Sequence, residues 1–163
     1  MADANMKSKA KVVYNDIIAM FDQIGWKYEC DDNQLRIRTG MSTSKASGVE
    51  IVIYFKVEQE RVNFNTTFPV VFPTDKKVAG AVAVCVANAS TNTGTFNLFI
   101  ENGAVKFISS ISYKDDTKLS TAIFKECISS AAKEIDYYYD SFKGLADGTM
   151  AIADFLNQEG VSF

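Results

Sequence analysis

The sequence predicts an α+β domain, a single antiparallel β-sheet flanked by helices, and three observations predict it. Segments whose apolar residues recur every three or four positions stand at the start, middle and end of the chain, the period of amphipathic helices. Between them lie paired runs rich in β-branched and aromatic residues, each pair joined by a few polar residues, the pattern of hairpins. Helices and strands do not alternate strictly, as a parallel α/β fold would require. The expected order is α-β-β-β-β-α-β-β-α-α.

The first helix is expected over residues 8–24, where Val12, Val13, Ile17, Met20, Phe21 and Ile24 share one stripe and Gly25 ends it. Residues 26–30 and 35–38 read as strands around the turn Asp31-Asp32-Asn33, a first hairpin. The Ser-, Thr- and Gly-rich stretch 39–48 follows neither period and is expected to be a loop. Residues 49–57 and 61–68 form a second hairpin across Glu58-Gln59-Glu60. Pro69 and Pro73 are expected to close extended structure, because neither can donate to a strand ladder. Thr74 is the expected N-cap of the second helix, with Asp75 in the first turn, where the helix dipole favours negative charge. That helix runs to Ala89 with Val78, Val82, Cys85, Val86 and Ala89 as its apolar stripe. Asn102-Gly103 joins residues 96–100 to 104–113, the strongest short-range hairpin signal in the chain. A long helix over 119–142 carries Leu119, Ile123, Cys127, Ala131, Ile135, Tyr138 and Phe142 on one side. Gly144 and Gly148 are expected to break it before a short helix over 150–157.

With 163 residues, 47% of them hydrophobic, the chain can bury one core, so a single domain is expected over 1–163, with its body at about 8–148 and a C-terminal extension at 149–163. The formal charge of −3 offers no general attraction to a phosphate backbone, and no nucleic acid partner is expected. The longest apolar runs, 49–55 and 79–86, fall far short of the ~20 residues a membrane helix needs, so no membrane partner is expected either. The polar N-terminus has no signal-peptide core. Cys30, Cys85 and Cys127 are scattered over three elements without C-x-x-C spacing, which points to reduced thiols, packed inside, in the cytoplasm.

Chemistry is hard to place on this chain. It has no histidine, which removes the commonest general base and the commonest transition-metal ligand. Asp31-Asp32 and Asp115-Asp116 lack the alternating spacing of a calcium loop and read as turns, and no glycine pattern makes a phosphate cradle. The run Tyr137-Tyr138-Tyr139 cannot form one stacking platform, since successive helix residues point about 100° apart. No catalytic residue, metal ligand or cofactor site is expected, and the chain is read as not being an enzyme.

Strand alternation is more informative. Leu35, Ile37, Ile51, Ile53, Phe55, Val62, Phe64, Phe96, Leu98, Ile100, Val105 and Phe107 fall on one side and form the expected core face. The other side is mostly polar, with four large apolar interruptions: Val52, Tyr54, Phe99 and Ile108. These four are the candidate protein-contact surface.

The succession of elements, with Ile24-Gly25-Trp26-Lys27-Tyr28 after the first helix, Phe68-Pro69-Val70 at the strand exit, Ala87-Asn88 and the three tyrosines, resembles the YbjN family over about residues 12–148. Those proteins are described as candidate sensory transduction regulators of bacteria. The resemblance implies a fold like that of type III secretion chaperones, often homodimeric, and a protein-handling role with no catalytic residue to carry over. The expectation is therefore a non-catalytic protein-binding module, regulatory or chaperone-like, with a protein partner of unspecified identity and a homodimer as its own form. The alternative is a small-ligand carrier or sensor with a pocket between the helices and Phe55, Phe64 and Phe107.

Overall fold

The computed structural model of the chain describes residues 4–115 and 119–161. Its helices are α1 (Ala4–Ile24), α2 (Lys77–Ser90), α3 (Thr121–Asp147) and α4 (Ile152–Gln158). The strands are β1 (Tyr28–Asp31), β2 (Arg36–Met41), β3 (Val49–Lys56), β4 (Arg61–Val71), β5 (Thr95–Phe99) and β6 (Ala104–Ser112). They form one sheet in the spatial order β1-β2-β3-β4-β6-β5, with each neighbouring pair antiparallel. The chain thus adopts the expected α+β class and order of elements. The pairing of β4 with β6 joins the last hairpin to the first two.

The helices pack on one face of the sheet, called here the near face. Tyr14 of α1 meets Phe55 at 6.1 Å between ring centroids, and Phe124 of α3 meets Phe64 at 5.4 Å. Phe142 of α3 sits among Phe68, Phe72 and Phe96, and Phe155 of α4 reaches it from outside. Asn88 of α2 holds the edge strand β5 with both ends of its amide, accepting from Phe96 N at 2.6 Å and donating to Phe96 O at 2.9 Å. Ile37, Ile51, Ile53, Val62, Phe64, Phe96, Val105 and Phe107 are buried on this face, as their alternation requires. Each large apolar side chain so buried contributes about 1.5–3 kcal/mol.

Several local expectations are corrected. β2 continues through Thr39, Gly40 and Met41, in what reads as loop, because those residues pair with Ile51, Glu50 and Val49 of β3. β4 runs through Pro69 rather than stopping before it, and the ladder shifts register between Thr67 and Val71, the kind of irregularity where a proline inside a strand is tolerated. Thr74 caps nothing with its side chain; it opens a 3-10 turn, Thr74–Lys76, and α2 begins after it. α3 extends past Phe142 to Asp147, so Gly144 lies within the helix, and only Gly148, at φ +76°, ends it. Its start is capped by Ser120, whose hydroxyl accepts from Ile123 N at 3.4 Å. Asp116 and the first three residues, to which turn and terminal roles were ascribed, lie outside the described residues.

Burial corrects others. Val12 and Ile24 of α1 are exposed, while Ala10 and Tyr14 take inward positions. In the first turns of α3 the inward residues are Phe124 and Ile128, one position on from Ile123 and Cys127. Ile100 is 56% exposed, because β5 ends at Phe99 and Ile100 belongs to the hairpin turn. That turn is otherwise as expected: Gly103 has φ +73°, and a Cβ there would stand 1.9 Å from the carbonyl oxygen of Phe72. Cys30 and Cys85 are exposed rather than packed, and Cys127 is half-buried. Among the three tyrosines, Tyr138 is buried, Tyr139 half-buried and Tyr137 exposed.

Candidate protein-contact surface

The residues opposite the core face point away from the helices, and the strand registers show how they meet. Arg38, Val52, Asn65, Ile108 and Thr95 lie side by side in one row across β2, β3, β4, β6 and β5. The adjacent row holds Arg36, Tyr54, Asn63 and Ser110. Val52, Tyr54 and Ile108 therefore gather around Asn65. Phe99 stands apart at the end of β5, 39% exposed, with the ammonium group of Lys106 5.4 Å from its ring centroid.

The packing of this far face is polar and two-dimensional. Asn63 Nδ2 donates to the Tyr54 hydroxyl at 3.0 Å, Ser110 Oγ donates to Asn63 Oδ1 at 2.6 Å, and Arg61 Nε donates to Ser110 Oγ at 2.8 Å. This run of bonds holds the Tyr54 ring in place. Val52, on the side opposite the core face, retains only 8% of its surface, because its cross-strand neighbours Arg38 and Asn65 flank it. Between these groups lies an open depression of ≈ 390 Å³, lined by Gln34, Arg36, Glu50, Val52, Tyr54, Phe55, Asn65 and Lys106.

The most exposed apolar surface lies elsewhere, on the outer side of α2, where the sequence pattern had pointed inward. Val78 is 79% exposed, Val82 37%, and Cys85 lies beside them. With Lys77, Ala81 and Ile100 they line a shallow hollow of ≈ 410 Å³. The buried side of α2 is made instead of Gly80, Ala83, Val84 and Ala87. The reason is steric: a Cβ on Gly80 would come within 2.7 Å of the Phe72 ring, so the aromatic layer beneath admits only the small-residue side of the helix. The signal that could have found this was the spacing of Gly80, Ala83 and Ala87, itself a helical stripe.

Among the described residues, the titratable groups displaced furthest are the buried hydroxyls of Tyr14, Tyr113 and Tyr138, all raised chiefly by burial, Tyr113 to about 12. Burial likewise pushes the Cys127 thiol up to about 11. The rings expected to line an internal ligand pocket lie against other rings, Phe55 against Tyr14 and Tyr113, Phe64 against Phe124, and Phe107 against Phe96.

No family model matches the chain, and no curated protein matches it in sequence. Solved structures do match in shape. YbjN from E. coli, a candidate transcription regulator, superposes with a TM-score of 0.54 at 11% identity, over 90% of this chain and 92% of that one. The chain has the fold of YbjN. One chain of the ExsC–ExsE complex superposes with a TM-score of 0.52 at 12% identity, over 80% of this chain and 92% of that one. In this fold the described helices gather on the near face, on both sides of the hairpins in chain order, and leave the far face open. No helix among the described residues is long and apolar enough to cross a membrane.

Proposed function

We propose that this chain is a non-catalytic, cytoplasmic protein-binding module, regulatory or chaperone-like, that holds a segment of another protein on the far face of its sheet. The observation that carries this is the face itself: no helix among the described residues packs on it, yet Val52, Tyr54 and Ile108 meet there around Asn65, with Phe99 at its edge. The likeness to a chain of the ExsC–ExsE complex supports it, since that is a protein of this fold bound in a complex. A homodimer is part of the reading, with the second copy on the outer side of α2. After Lys77 that helix carries no charged residue, so two copies can bring Val78, Val82 and Cys85 together without like-charge repulsion.

A photo-crosslinking residue tests the first part. Placed at Ile108, it should yield a discrete protein adduct in the native host, whereas the same residue at Glu126 on α3 should not. Equal adducts from both positions, or none from Ile108, would count against the far face. Sedimentation over a concentration series should show a monomer–dimer equilibrium that Val78→Asp shifts to monomer; a monomer throughout would remove the dimer.

A further inference from the structure

The charge on the far face names the chemistry of its partner, an inference that rests on the protein-binding reading above. On β2, β3, β4 and β6 this face presents Arg36, Arg38, Lys56, Arg61 and Lys106, against the carboxylate of Glu50. The edge strand β1 adds Glu29 and Asp31, beside Arg38 and Arg36. The balance is positive in a chain whose formal charge is −3, so the cations are concentrated where the apolar side chains also gather.

The nearby carboxylates neutralise only part of that charge. Asp31 turns its Oδ1 to the backbone N–H groups of Asn33 and Gln34, at 2.9 and 3.1 Å. Glu50 pairs with Arg38 at 3.8 Å, with both side chains half exposed. Arg36 and Lys106 make no salt bridge among the described residues. Two buried polar atoms at the depression also lack a partner, Arg36 Nε, a donor, and Asn65 Oδ1, an acceptor. Both residues line the depression, on strands either side of β3, and a peptide main chain laid across it offers both C=O and N–H to such groups.

We infer that the far face binds an extended, acidic protein segment, its carboxylates toward Arg36, Arg38 and Lys106 and its apolar side chains toward Val52, Tyr54 and Ile108. A polyphosphate strand fits less well. Its backbone oxygens give Asn65 Oδ1 nothing to accept from, and stacking has no free platform, since Tyr54 is tied to Asn63 and Phe99 lies under Lys106.

The test uses the full chain and three probes: a synthetic peptide alternating glutamate with leucine, the same peptide with lysine for glutamate, and oligothymidylate. Amide NMR shifts locate each, and anisotropy gives affinity. The acidic peptide should shift far-face amides and lose binding as salt rises, with Arg36→Glu and Lys106→Glu each weakening it about tenfold. Unchanged thermal transitions establish that both variants are folded, and Arg36→Gln replaces Arg36→Glu if that one is not. If the lysine peptide binds the same face equally well, the acidic partner is wrong while the protein-binding reading stands. If neither peptide shifts the far face, both fall. Tighter binding of oligothymidylate at this face would overturn the inference in favour of nucleic acid.

Discussion

Helices α2 and α3 both carry an apolar stripe at helical spacing, yet only α3 buries its own. From Ala131 onward α3 turns Ile135, Tyr138 and Phe142 inward, in line with the pattern, while α2 turns Val78 and Val82 to solvent and packs on Gly80, Ala83 and Ala87. The difference lies in what waits beneath each helix. α3 supplies aromatic rings to a cluster with room for them, whereas α2 lands on rings already in place, Phe72 above all. An amphipathic period shows that a helix has two sides; the surface it lands on chooses between them.

The comparison can be broken at several points. Phe142→Ala on α3 should cost about 3–5 kcal/mol in urea unfolding, because it empties the centre of an aromatic cluster. A loss under about 1 kcal/mol would mean the cluster is not the core of the fold. The cysteines report the same contrast through chemistry. With its thiol raised to about 11 from an ordinary 9.0, Cys127 of α3 holds about a hundredfold less thiolate near neutral pH than an ordinary thiol. Exposed Cys85 of α2 should therefore alkylate far faster in dilute protein, and become protected as concentration rises if α2 is the dimer surface.

Gly80→Ala sharpens the steric argument. Alanine favours a helix by about 1 kcal/mol over glycine, so propensity alone predicts a gain. The contact of 2.7 Å with the Phe72 ring predicts instead a net loss of about 1–3 kcal/mol, read by the same unfolding experiment. The smallest effect belongs to the outer side: Val78→Asp, at a 79% exposed position, should change monomer stability by less than about 0.5 kcal/mol. A large destabilisation there would show that the outer side of α2 is covered after all.

On the sheet, legibility was uneven for a related reason. The near-face residues Ile37, Ile51, Ile53, Phe64 and Phe107 follow from alternation alone, as does the hairpin at Asn102-Gly103. Alternation also placed Val52, Tyr54, Phe99 and Ile108 on the opposite side. It could not show that Val52 is nearly covered by cross-strand neighbours, or that Lys106 separates Phe99 from the other three, because both depend on which strands lie side by side.

The sequence by itself determined the periods, the order of elements and the three hairpins, since each rests on residues close together along the chain. The tertiary structure alone decided that β4 pairs with β6, that α2 docks by its small side, and that Arg36, Arg38 and Lys106 share a surface with Val52 and Ile108. Periodicity is a local property of the backbone. Burial and charge clustering are set by what lies opposite a residue, and those neighbours come from distant parts of the chain.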